Sequence, residues 1–189
     1  IIAIIFRSFL IQPFYIPSSS MEPNLLVGDR IFVSKYSYGY SKHSFPFSPP
    51  IFKGRIMDNN PSRGDVVVFK TPADNRTDYI KRLIGMPGDT IQFIDSNLYI
   101  NNAEVLKSRI SKNDNIFCGN NKIKVFTFEE ILPNQKKYNS VYLKDFAYQN
   151  SDKFKVPKDH YFFLGDNRDC SKDSRFLTSV GYVHKDNLV

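Results

Sequence analysis

Four Gly-Asp dipeptides, at residues 28–29, 64–65, 88–89 and 165–166, punctuate the chain, and each borders a short apolar run. Glycine tolerates the backbone angles of tight turns, and aspartate accepts hydrogen bonds from the amides that follow, so such pairs mark reversals of the chain. The runs beside them are too short for helices and are rich in β-branched and aromatic residues. LLVGDRIFV at 25–33 reads as strand, turn, strand. VVVFK at 66–70 reads as a buried strand, and 78–84, TIQFI at 90–94 and HYFFLG at 160–165 as further strands. Phe 17 and Tyr 11, with no Trp, point the same way. Helix signals are few; FEEIL at 128–132 is where a turn or two of helix is expected. The expected fold class is mostly β.

A chain of 189 residues makes one domain, or one core carrying a smaller insertion. Residues 36–62 are loop-like, with aromatics that would support a projecting hairpin. Residues 96–157 are polar, rich in Asn and Lys, and lack one dominant period, so they read as an inserted subdomain of short strands and loops. The core is then split between 14–95 and 158–189. Cys118 and Cys170 form no CxxC, and His43, His160 and His184 lie far apart, so no metal site is expected; whether the cysteines pair stays open. The formal charge of +7 is compatible with an anionic partner without requiring one.

The first six residues, Ile1 to Phe6, are apolar, but a bilayer span needs ~20. Two readings stand: an N-terminal strand or amphipathic helix, or the end of a membrane helix that begins upstream. The second makes 1–13 the end of a membrane anchor. Pro13 and Pro17 then set an extended path into Ser18-Ser19-Ser20.

The chain has no GxSxG, SxxK, HExxH, P-loop or GxGxxG pattern. Three other segments are dense in unusual chemistry: Pro17–Pro23, Asp78–Asp89 and Gly165–Arg175. Taken singly, each has a bland reading as a capped loop, a solvated strand or an ion-paired turn. Together with Arg63–Phe69 (RGDVVVF), they resemble the boxes of the bacterial type I signal (leader) peptidases. IPSSSMEPNLLVGD at 16–29 matches the family's serine box, with Ser19 where Gly is common. Tyr79–Asp89 matches the lysine box, and GDNRDCSKDSR at 165–175 is complete. The region between the last two boxes is unmatched.

The resemblance implies an antiparallel β-sheet catalytic core and a Ser–Lys dyad, with Ser20 as nucleophile and Lys81 as general base. It assigns the oxyanion hole to Ser18 and Ser20, and supporting roles to Ser171, which would hydrogen-bond the lysine, and to an Asp173–Arg175 ion pair. Substrate pockets would be lined by Phe14, Ile16, Pro17, Met21, Leu25, Val68, Asp78, Tyr79 and Ile80. The substrates implied are signal peptides with small residues at −1 and −3, cut at the bilayer surface of the bacterial inner membrane on its extracytoplasmic side. No cofactor and no nucleic acid are implied, and nothing is implied about oligomeric state.

The residues themselves agree with this chemistry. A serine hydroxyl needs an adjacent base, and a lysine serves only when neutral, far below its usual pKa of ~10.4. In a strand, Lys81 shares a face with Tyr79 and Leu83, a bulky, largely apolar setting, while Arg82 points to the other face. Two other readings are weighed. A self-cleaving Ser–Lys repressor would carry an Ala-Gly or Cys-Gly bond before its serine, whereas Cys118-Gly119 follows Lys81. A non-catalytic basic β module binding lipid or nucleic acid would not need the Ser20 hydroxyl.

Overall fold

The structure is a computed structural model, and it describes residues 10–45, 54–119, 121–143 and 150–189. These residues form antiparallel sheets and three 3-10 turns, with no α-helix among them. No helix among the described residues is long and apolar enough to cross a membrane.

A two-stranded ribbon pairs β1 (Ile11–Tyr15) with β2 (Arg30–Ser34). Pro13 sits in β1 opposite Phe32, tolerable because a two-stranded ribbon leaves its outer edges without partners. A four-stranded sheet has the order β13-β12-β4-β3, from β3 (Val66–Lys70), β4 (Asp78–Gly85), β12 (His160–Leu164) and β13 (Val183–His184). Both faces of this sheet are covered. Leu83, Tyr161 and Phe163 pack with Val67, Phe69, Val180 and Val183 in one cluster. Ile84, Phe162 and Leu164 pack in another with Ile91, Phe93, Leu98, Ile100 and Phe154. The alternation of a strand thus builds two cores from one sheet, which explains why VVVFK and YFFL read as continuous apolar runs.

The second cluster joins this sheet to another of order β11-β5-β6-β7: β5 (Thr90–Ile94), β6 (Asn97–Ile100), β7 (Ala103–Glu104) and β11 (Phe154–Lys155). Its tight turns place Asp95 and Ser96, then Asn101 and Asn102, at positive φ. The last sheet, β10-β9-β8, holds β8 (Leu106–Cys118), β9 (Asn121–Ile131) and β10 (Lys137–Leu143).

Several expectations need correction. Leu25–Val27 is a turn, not a strand: the Leu25 amide donates to Met21 O, and Asp29 Oδ2 accepts the Leu26 amide at 2.8 Å. The partner of β2 is β1 instead. Phe128–Ile131 is strand, because β9 is hydrogen-bonded along both edges, to β8 and β10. The strands within 96–157 are not all short, since β8 and β9 run 13 and 11 residues. Residues 97–104 and 154–155 join the sheet of β5. Of the anchor expected at 1–13, residues 1–9 lie outside the described residues and Ile11–Pro13 belong to β1. Of the loop at 36–62, residues 46–53 also lie outside them; Tyr40 bridges Ile56 across that gap.

Candidate active site

Ser20 lies in a 3-10 turn, Ser19–Met21, entered from an extended Ser18. Pro17 and Pro23 flank the turn, and a network of amides fixes its position. Ile16 exchanges backbone hydrogen bonds with the 28–29 turn, its amide donating to Asp29 O and its carbonyl accepting from Gly28. On the other side, Asn167 donates its amide to Ser20 O at 3.2 Å and its Nδ2 to Ser19 O at 3.1 Å. Gly165 is required for this approach: a Cβ there would stand 2.5 Å from Ser20 O and 2.1 Å from Ser171 Oγ.

Lys81 reaches the same point from β4. Its Nζ lies 2.6 Å from Ser20 Oγ and 2.9 Å from the carbonyl oxygen of Ile80. The Tyr79 ring centroid is 5.4 Å from Nζ, and Lys81 is 3% exposed. Burial lowers the Lys81 pKa from 10.5 to about 8, against the opposing pull of Asp173 and Asp166. Near neutral pH this amine therefore exchanges its proton readily, next to a hydroxyl. Ser18 Oγ is 3.3 Å from Ser20 Oγ.

Behind the pair, Arg175 grips Asp173 through two bonds, 2.8 Å to Oδ1 and 2.9 Å to Oδ2. The Gly165 amide also donates to Asp173 Oδ2, at 3.0 Å. Burial works to raise the Asp173 carboxyl, but Arg175 and these bonds outweigh it and hold it below the usual carboxylate range. Ser171 is buried, yet its Oγ makes no hydrogen bond; the bond to Lys81 expected of it is not formed in this structure.

A cleft of ≈ 350 Å³ exposes the pair, lined by Pro17, Ser18, Ser20, Asp78, Tyr79, Ile80, Lys81, Cys170 and Lys172. A second hollow, of ≈ 320 Å³, shares Ile80 and adds Leu25 and Val68. Phe14, Ile16 and Met21 line neither; Ile16 and Met21 are fully packed away, at 2% and 0% exposure. Strand β4 offers an edge to this cleft. β3 pairs with residues 78–82, while β12 pairs with Arg82, Leu83 and Gly85, so the second edge of 78–81 has no strand partner among the described residues.

Some contributors were not singled out from sequence. Asn167 and Gly165 stand inside a quoted motif, but nothing local marks them as the braces of Ser20. Arg82, on the face opposite Lys81, forms a buried pair with Asp166, 2.7 Å to each carboxylate oxygen. Cys118 and Cys170 are joined by a disulfide. A serine hydroxyl, a buried amine at hydrogen-bond distance and a strand edge without a partner among the described residues are the groups that acyl transfer to serine requires.

The profile of the signal peptidase family, peptidase S26, matches residues 1–189. The signal peptidase I of Rickettsia typhi is 43% identical over 197 residues, covering 100% of this chain and 72% of that protein. That of Rickettsia prowazekii matches with the same identity and coverage. A signal peptidase I structure from Enterococcus faecalis V583 is 28% identical, covers 69% of this chain and 94% of its own, and superposes with a TM-score of 0.40.

Proposed function

The chain belongs to the signal peptidase family, peptidase S26, and from that premise we propose that Ser20 and Lys81 carry its reaction, the cleavage of signal peptides from exported preproteins. The observation behind the assignment is the 2.6 Å separation of Lys81 Nζ and Ser20 Oγ, with the lysine buried. Neutral Lys81 takes the hydroxyl proton as Ser20 Oγ attacks the scissile carbonyl carbon. The carbonyl oxygen becomes an oxyanion, received by the Ser18 hydroxyl and the Ser20 amide, each such donor typically worth ~3 kcal/mol. When the C–N bond breaks, protonated Lys81 returns the proton to the leaving amine. The ester on Ser20 is then hydrolysed by water with the lysine again as base. Asp173 and Arg175 keep the 165–175 segment in register behind Lys81.

The substrate adds as an extended strand along the open edge of residues 78–81, so its alternate side chains face the same wall. The −1 and −3 side chains occupy the hollows around Pro17, Tyr79 and Ile80 and around Leu25, Val68 and Ile80. Ile16 and Met21 act from behind as packing, half-buried Phe14 stands in β1 outside both hollows, and Asp78 lines the cleft. The bilayer is the natural setting, because a signal peptide is held there by its apolar stretch. Exposed Tyr15, Leu26, Val27 and Phe32, on or beside the β1–β2 ribbon, support contact with lipid. The Cys118–Cys170 disulfide supports an extracytoplasmic, oxidising location.

The test is cleavage of a preprotein bearing an A-x-A site. Ser20→Ala and Lys81→Ala should each lower the rate by several orders of magnitude, since members of such a pair act as a unit. Activity within tenfold of the parent chain in either variant would remove that residue from the mechanism.

A further inference from the structure

The cleft holds one charge with no counter-ion. Of its lining residues, Asp78, Lys81 and Lys172 carry an acidic or basic side chain. Asp78 is matched by Lys70 Nζ at 2.8 Å. Lys81 must be neutral to act. The nearby carboxylates are committed as well, Asp173 to Arg175 and Asp166 to Arg82. Lys172 is exposed and makes no hydrogen bond or ion pair among the described residues. Its backbone is nevertheless pinned on both sides. Cys170, two residues before it, is disulfide-bonded to Cys118, and Asp173, the next residue, is buried and clasped by Arg175. With its backbone held in this way, Lys172 stays tethered at the lining of the cleft while its exposed side chain remains flexible.

We propose that Lys172 is a specificity-determining residue that favours substrates with an acidic side chain at −2 or +1. The inference rests on Ser20 and Lys81 being the reacting pair. In an extended substrate, the −1 and −3 side chains point into the apolar hollows, so the −2 and +1 side chains stand on the opposite, solvent-facing side. A flexible cation at the rim meets those positions. There an acidic side chain gains an ion pair and a basic one is repelled. Exposed pairs are individually weak, so the attraction and repulsion together amount to roughly a three- to tenfold difference in kcat/KM.

The experiment uses two peptide sets built on one A-x-A sequence, with Glu, Gln or Lys at −2 in the first and at +1 in the second. The parent chain should prefer Glu over Lys at least threefold in one set. The preference should shrink in 1 M NaCl, where screening shortens the reach of a charge to about 3 Å. It should persist in Lys172→Arg, vanish in Lys172→Ala and reverse in Lys172→Glu. A Glu-to-Lys ratio near one in both sets for the parent chain would overturn the role of Lys172, as would a preference that survives unchanged in Lys172→Glu. These ratios compare peptides within one variant, so a change in overall rate does not disturb them. If a variant does not fold, the parent ratio, its salt dependence and Lys172→Arg still decide. Failure of the parent chain to cleave the Gln peptides would instead overturn the assignment of the reacting pair, and this inference with it.

Discussion

Lys81 is 3% exposed, a setting that penalises a charged side chain. Burial favours the neutral amine, and at about 8 its pKa lies well below the 10.5 of a solvated lysine. The rate on a neutral peptide should therefore rise with pH through about 8 and level off above it; a flat profile from pH 6 to 10 would contradict a neutral lysine base. The same displacement has a stability consequence of fixed sign. Below about 8 the lysine is charged in both folded and unfolded chains, and the buried charge costs about 3 kcal/mol, at roughly 1.4 kcal/mol per tenfold. Between about 8 and 10.5 the unfolded chain holds a proton the native chain has released, so stability rises with pH across that window. Denaturant midpoints at pH 7 and 10 should show the parent gaining about 2–3 kcal/mol on Lys81→Met, a variant without this titration. An unchanged difference would count against the depressed amine. Much of this residue's setting is legible from strand alternation alone, since Tyr79 and Leu83 share its face. What surrounds it from elsewhere is not: Asn167 holds the Ser19–Ser20 backbone from more than a hundred residues away along the chain.

At the level of elements, the end of β8 acts as a brace on the turn that carries Ser20. The Phe117 amide donates to Glu22 Oε2 at 3.0 Å, and the Phe117 carbonyl accepts from Asn167 Nδ2 at 3.3 Å. The next residue, Cys118, is bonded to Cys170 on the cleft wall. Three links thus tie one strand end to both sides of Ser20. Reduction with a dithiol should lower kcat several-fold, and reoxidation should restore it. The Cys118→Ser/Cys170→Ser double variant should show the lowered rate with no response to reductant. Because the bridge closes a loop of 52 residues, its loss should also cost about 4 kcal/mol of stability. Full activity in the reduced protein would show that the two hydrogen bonds suffice. The elements differ in how far sequence foretells them. β3, β4, β5 and β12 are legible because each of their apolar runs is bordered on one side by a Gly-Asp or Pro-Gly turn. Leu25–Val27 misleads, since its apolar residues are used to close a turn that Asp29 caps. FEEIL at 128–132 misleads for another reason: Glu130 meets its partner across the fold, and pairing on both edges outweighs local helix preference.

Across the whole molecule, what the sequence motifs leave dark is how the region between them joins the catalytic sheet. That join is a buried ion pair. Glu130 of β9 and Arg168 of the 165–175 segment are each 1% exposed and meet at 3.0 Å. The carboxylate also accepts from Tyr138, Ser140 and Tyr142 of β10. Burial alone would raise the Glu130 carboxyl, but Arg168 and the hydroxyls hold it below the usual range. Arg168 extends the link by donating Nε to Gly165 O, while its carbonyl accepts from Arg175. The backbone of Val141 adds to the join, its amide donating to Asp166 O and its carbonyl accepting from Arg168. A charge pair so thoroughly desolvated adds little net stability over an apolar pair, yet breaking it on one side strands a charge in the core. Glu130→Ala should therefore cost about 3–5 kcal/mol, lowering Tm by roughly ten degrees or more for a chain of this size. Glu130→Leu combined with Arg168→Met should be less damaging than Glu130→Ala alone, because it removes both charges together. A thermal scan in which the single variant matches the parent, or in which the double variant is the less stable of the two, would mean the sheets are held by their apolar clusters and that this pair is incidental to the join.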